Sequence, residues 1–130
     1  MRICAITLGC LLLVTVSFAE EQPGLRFAQE GSRFETRCGW FSNPTPGNAS
    51  LYDKDGEWII GVQGGHQAEG DWPTFKSNQW VRTNGSYGYG CACLRVRVDH
   101  DSHEVLEIKS SYARPLSACR KDPALKEPKE

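Results

Sequence analysis

Residues Gly85 to Val98 read GSYGYGCACLRVRV, and the alternation inside them sets the fold class. Ala92, Leu94, Val96 and Val98 fall on one side of this stretch. Cys91, Cys93, Arg95 and Arg97, with Asp99 just beyond, fall on the other. A period of two is that of a half-buried β-strand, because successive side chains leave an extended backbone on opposite faces. Cys91 and Cys93 share a face, so each is expected to tie a different distant segment to this strand.

Working toward the C-terminus, His100-Asp101-Ser102-His103 reads as a turn and Val105 to Tyr112 as the returning strand, with Leu106, Ile108 and Tyr112 on one face. Pairing Val98 with Leu106 and Val96 with Ile108 sets apolar against apolar and places Arg97 beside Glu107. Toward the N-terminus, Asn84-Gly85 is a turn pair and Gln79 to Thr83 a short strand. Before it, Gln63 to Asn78 (QGGHQAEGDWPTFKSN) is the least regular internal segment, and loops of more than about 12 residues inside a small domain tend to be functional.

A hairpin is expected at Leu51 to Ile60, turning at Asp53-Lys54-Asp55-Gly56. Tyr52 would face Glu57, Leu51 would face Trp58 and Ala49 would face Ile60. Asp53-x-Asp55-Gly56 resembles the start of a calcium loop, but Trp58, Ile60 and Gly61 occupy the remaining ligand positions, so turn chemistry explains it better. Asn43-Pro44-Thr45-Pro46-Gly47-Asn48 breaks the chain before that hairpin. Ser32 to Phe41 alternates as a further strand, with Phe34, Thr36, Cys38 and Trp40 as its apolar face and Arg33, Glu35 and Arg37 opposite. Cys38 then reads as core-facing while Cys91 and Cys93 lie on a charged face, a conflict that a bulge at Gly39 or Gly90 would remove.

The ends bound the compartment. Met1 to Ala19 has a charge at Arg2, an apolar run from Ile3 to Val16, and Ser17-Phe18-Ala19 as a cleavage pattern, so it reads as a signal peptide. No later run is long enough to span a membrane. Residues 20–31 read as a flexible arm, 32–123 as one β domain and 124–130 as a disordered tail. Loss of Arg2 leaves 14 basic residues (15 less one) against 16 acidic, a net charge of −2, which argues against nucleic acid as a partner. Four of the six cysteines remain after the leader: Cys38, Cys91, Cys93 and Cys119. An even set in a small exported chain implies two disulfides. A Cys91–Cys93 bridge would be strained. Cys38–Cys91 with Cys93–Cys119, and Cys38–Cys93 with Cys91–Cys119, stay open. Zinc is disfavoured by the spacing. The fold class is therefore all-β, a small antiparallel barrel or curled sheet of about six short strands.

The blocks CGWFSNPTPGNASLYDKDGEWIIGVQGGHQAEG and NGSYGYGCACLRVRVD, with the terminal PLSACRKDP, resemble a family of small exported bacterial proteins classed as a domain of unknown function. The resemblance covers about Arg37 to Pro123. It implies a soluble, periplasmic protein with paired cysteines and brings no catalytic residue. The chain departs from the family pattern after the proline-rich turn, where Ala49 and Ser50 stand in place of aromatic residues.

No nucleophile elbow, metalloprotease motif or phosphate-binding glycine loop occurs. His100 and His103 read as turn residues rather than metal ligands. The expectation is a non-enzymatic exported binding protein without a cofactor, with an unknown protein or cell-wall partner, of the inhibitor or immunity type that acts on a cell-envelope enzyme. Its binding residues would be His66, Gln67, Glu69, Trp72, Tyr87 and Tyr89, with Trp72 as anchor. Trp58 and Trp80 read as core residues. The competing expectation is a hydrolase or metal-dependent enzyme using His66 with Glu69 or Asp71.

Overall fold

A computed structural model describes residues 33–129. The expected signal peptide and N-terminal arm lie outside the described residues. Six strands follow in order: β1 (Glu35–Thr45), β2 (Asn48–Asp53), β3 (Gly56–Gly61), β4 (Trp80–Asn84), β5 (Tyr87–Asp99) and β6 (Glu104–Arg114), and then a short helix α1 (Leu116–Arg120). The sheet order is β1-β2-β3-β6-β5-β4, and β1 also pairs with β5. Five strands therefore curl into a ring. β4 lies outside it, collinear with β6 on one edge of β5: β4 pairs along Tyr87 to Gly90 and β6 along Cys91 to Asp99. The sheet is mixed rather than purely antiparallel, because β3 meets β6 in parallel through the single pair Ile59↔Glu104.

The alternation in β5 sorts as its sequence dictates. Ala92, Leu94, Val96 and Val98 are buried inside the ring against Phe41, Leu51, Trp58, Ile60, Val105 and Ile108. The opposite face of β5 is not solvated along its first half. Tyr89 and Cys91 pack there with Trp40 and Cys119 in a second, outer core that α1 and the tail cover through Leu116, Ala118 and Leu125. β5 is thus buried on both faces, which a charged second half had concealed.

The conflict over Cys38 disappears without a bulge. β1 and β5 pair continuously from Glu35↔Val96 to Asn43↔Gly88, with Cys38 directly opposite Cys93. The disulfides are Cys38–Cys93 and Cys91–Cys119, one of the two arrangements the sequence left open. What changes is the assignment of β1's faces. Trp40 belongs to the outer core and Phe41 to the inner one, so Cys38 and Trp40 point outward and Arg37, Gly39 and Phe41 inward. Arg37 is accepted inside because carboxylates meet it there: its Nη1 lies 2.6 Å from Asp53 and 3.1 Å from Asp55, and its Nε 2.6 Å from Glu35. A buried guanidinium matched in this way keeps its charge without the desolvation penalty of an isolated ion.

Bulges account for the register differences. Leu51↔Trp58 and Tyr52↔Glu57 pair as expected, but Ala49 faces Gly61 rather than Ile60, because Ile60 is an extra residue in β3. Val96↔Ile108 and Arg97↔Glu107 also pair as expected, whereas Val98 faces Val105 and leaves Leu106 as the extra residue. A second shift at Lys109 turns Tyr112 outward opposite Cys93, so it does not share a face with Ile108 and is 60% exposed. The break at Asn43 to Asn48 is narrower than its composition implies. β1 runs on to Thr45, which pairs with Asn48 across a turn at Pro46-Gly47.

The tail, expected to fray, contributes to the outer layer. Glu127 accepts a hydrogen bond from Tyr89 Oη at 3.0 Å and pairs with Arg120 at 2.8 Å. The Arg120 hydrogen bonds, assisted by Tyr89, hold the Glu127 carboxyl below its ordinary pKa. A depressed carboxylate stabilises the folded form above its unfolded pKa, and that contribution is lost as pH falls through the lower folded value. An NMR titration of Glu127 should show a midpoint below that of an unstructured glutamate, with Tyr89 ring shifts following the same curve. An unshifted midpoint would mean that the tail does not hold this contact in solution.

Candidate functional site

The long Gln63–Asn78 segment divides into two parts with different work. Its first part completes the ring. β3 and β6 separate after their one pair, and the chain at 67–69 fills the gap: Ala68 N–H donates to Ile60 O at 2.8 Å, and Glu69 N–H to Leu106 O at 3.0 Å. In return Ile108 N–H donates to Glu69 O at 2.7 Å. The bulged Leu106 supplies one of these carbonyls. Gly70 follows with φ 94°, a left-handed conformation, and an added Cβ there would strike the Ile108 carbonyl. No other residue type fits that crossing without moving β6.

The polar residues expected to recognise a ligand mostly serve this closure. His66 Nε2 lies 2.8 Å from Val105 O. A carbonyl only accepts, so Nε2 carries the proton and is not a free base at that atom. Gln67 donates to Gly47 O at 2.8 Å and to Val62 O at 3.1 Å, bracing the segment against the β1–β2 turn. Glu69 is held through its backbone while its side chain is exposed. Tyr89 lies in the outer core, edge-on to Trp40 at 5.4 Å, and Tyr87 pairs with Asn84 at the β4–β5 turn. Neither belongs with Trp72. Among the described residues, no group of three or more His, Cys, Asp or Glu side chains could hold a metal ion.

The second part of the segment builds a cleft. Trp72 packs edge-on against Phe41 at 5.8 Å, Phe75 packs against Phe41 at 5.8 Å, and Trp80 lies 4.8 Å from Phe75. All three rings are half-buried, over a fully apolar floor. Gly90 makes room for this stack, since a Cβ there would come 2.6 Å from the Phe75 ring. A 3-10 turn at Ser77–Gln79 brings the chain into β4, and Trp80 Nε1 donates to Ser86 O at 3.1 Å across the following turn. The result is an open cleft of ≈ 580 Å³ between the 72–77 segment and β4. Asn43, Lys76, Arg82 and Ser86 supply its polar rim, and no carboxylate lines it.

Of the residues expected to bind, His66, Gln67, Glu69, Trp72, Tyr87 and Tyr89, Trp72 is the one that lines this cleft. Trp80, read as core, is a wall of the cleft, and Lys76 and Arg82 carried no expectation. One signal was available: Trp80-x-Arg82 alternates on a short strand next to an Asn-Gly turn, which places both on one face.

A second cluster sits at the other end of the ring. Trp58 lies under Arg37, whose Cζ is 3.7 Å from the ring centroid, and stacks on His103 at 4.5 Å. His100 meets Trp58 edge-on at 5.5 Å and Glu35 at 3.5 Å. Asp53 Oδ1 accepts from Trp58 Nε1 at 3.1 Å and from Asp55 N at 2.8 Å. The Asp53-x-Asp55 run is thus an acidic turn that receives Arg37 and Trp58. Its groups satisfy one another, so it reads as a structural plug.

Fold and cleft define a small, disulfide-braced all-β domain with an open aromatic recess on the ring's rim. Over residues 32–126 the chain matches the family described as Protein of unknown function (DUF4087), and it belongs to that family. No curated protein and no solved structure matches it. Among the described residues, no helix is long and apolar enough to cross a membrane.

Proposed function

We propose that this chain is an exported, non-enzymatic binding protein that takes its partner in the cleft formed by Trp72, Phe75 and Trp80. The observation that carries the reading is the cleft itself: three half-buried aromatic rings around ≈ 580 Å³ of open space, with cations at the rim. Aromatic side chains with one face packed and one face free give large contact area at low entropic cost, and they dominate recognition surfaces. Two disulfides in a chain that begins with a leader-like segment support export to an oxidising compartment, with the periplasm as the expected one. An inhibitor or immunity-type role toward a cell-envelope enzyme fits a small rigid domain of this kind. The enzymatic alternative has less support, because His66 Nε2 and the Glu69 backbone are engaged in closing the ring.

The test is Trp72→Ala in the oxidised protein, assayed against an envelope partner purified on the wild-type domain. Affinity should fall about tenfold, or ~1.4 kcal/mol. Because Trp72 is only half-buried, stability should fall by about 1–2 kcal/mol, short of the ~3–5 of a fully buried tryptophan. Unchanged affinity would end this reading. Turnover of a cell-wall substrate abolished by His66→Ala would install the enzymatic one.

A further inference from the structure

The two tryptophans of the cleft come from different walls. Trp72 belongs to the 72–77 segment and Trp80 to β4, and each rests on Phe41, with ring centroids 5.8 and 6.4 Å away. Among the described residues no ring contact joins the two indoles. The ≈ 580 Å³ between the walls is open to a ligand, and falls within the range of about 300–1,000 Å³ typical of small-molecule sites.

The polar atoms around these rings narrow the occupant. Trp80 Nε1 already donates to Ser86 O at 3.1 Å, so Trp80 offers a ligand its ring face alone. Trp72 Nε1 has no hydrogen-bond partner among the described residues, so Trp72 offers both a face and a donor. Both amide hydrogens of Asn43 go to the Thr45 and Asn48 carbonyls, which leaves its Oδ1 as an acceptor. The Ser77 and Ser86 hydroxyls at the rim can donate or accept. A fitting ligand is therefore apolar on its broad faces and both donor and acceptor at its edge.

We propose that the cleft binds an oligosaccharide of gluco-configured, equatorially linked pyranose units. This rests on the binding reading above and deepens it by naming the ligand class. A pyranose whose substituents are all equatorial carries axial C–H groups on both faces and hydroxyls around its edge. The C–H groups are attracted to the electron-rich face of an indole, and the hydroxyls meet the rim groups. An aliphatic side chain would use the rings and none of the rim, while an axial hydroxyl would set a polar group against an indole face. Glycoside cleavage ordinarily takes two carboxylates, and none lines the cleft, so the saccharide is held without being cut.

The probes are cellotriose and tri-N-acetylchitotriose, both equatorially linked, and maltotriose, a glucose trisaccharide with axial linkages. Each is titrated into the oxidised protein and followed by indole NMR shifts and by saturation transfer to the sugar protons. An equatorially linked probe should shift the Trp72 Nε1 and Trp80 ring signals at millimolar concentration, with saturation strongest on its axial C–H protons. Maltotriose should bind about tenfold more weakly, and Trp72→Ala should weaken the better probe about tenfold. Trp72→Phe keeps a ring and loses the N–H, so it should lose less, and equal loss in the two variants would overturn the stacking role. No shift from either equatorially linked probe, or equal binding of maltotriose, would overturn the saccharide assignment. If the purified envelope partner still needs Trp72 while neither probe binds, the binding reading stands and the saccharide falls. Probe binding beside an envelope-partner affinity unchanged by Trp72→Ala gives the reverse, so the two readings fail separately.

Discussion

Trp58→Ala should destabilise the domain by about 3–5 kcal/mol, the range for emptying a buried tryptophan site. Trp58 is 2% exposed and pairs across the β2–β3 hairpin with Leu51. The alanine variant would leave a cavity inside the ring and remove the surface under Arg37 and beside His103. It would also strip one of the donors from Asp53, whose side chain is only 4% exposed. Neither the guanidinium nor the imidazole can collapse into the space without abandoning Asp53 or the Glu57 carbonyl, which lies 3.1 Å from His103 Nδ1. Trp58→Phe keeps most of the volume and loses the indole N–H, so it should cost less, about 1–2 kcal/mol. Urea unfolding of the two variants at constant m-value measures the difference. A loss below ~1 kcal/mol for Trp58→Ala would mean that the end cluster does not close the core as described.

The second large effect concerns the outer layer. Removing the Cys91–Cys119 bridge by paired alanine substitutions should cost about 3–4 kcal/mol, because it releases a loop of 28 residues in the unfolded chain. It should also have a local signature. α1 is only five residues long, too short to hold itself, and Cys119 anchors it over Trp40 and Tyr89. Without the bridge, protease should cut at Arg114 or Arg120 before the ring unfolds, and Trp40 should become accessible to quencher. Removing Cys38–Cys93 should lower global stability by a similar amount, given its separation of 55. It should leave α1 in place, because those two residues already face each other in a continuous strand pair. Peptide mapping of the native protein should recover both bridges and no free thiol. Equal protease resistance of the two double variants would remove the claim that the bridges act on different layers.

What the sequence determined by itself is local. The inward face of β5 followed from a period of two that needs only the neighbouring residues. So did the register next to the tight turn at Lys54-Asp55, where Tyr52↔Glu57 and Leu51↔Trp58 lie within a few residues of the bend. Arg97 beside Glu107 was legible for the same reason, with Arg97 Nη2 now 3.1 Å from the carboxylate. The cysteines to be paired could be named, but not their partners.

Tertiary structure decided the rest, and in each case the cause is a contact between segments far apart in the chain. Cys38 finds Cys93 because β1 and β5 align over nine residue pairs. Arg37 turns inward because Asp53, sixteen residues away, meets it there, although its charge alone predicts the surface. The bulges at Ile60 and Leu106 have no local signature. They arise where β3 and β6 diverge and 67–69 must be seated between them. That seating drew His66, Gln67 and Glu69 into the framework and left Trp72 packed on Phe41, lining the cleft with Phe75 and Trp80. Closing a ring demands that every unpaired edge find a partner. Which loop supplies it is a property of the whole sheet and not of any stretch within it.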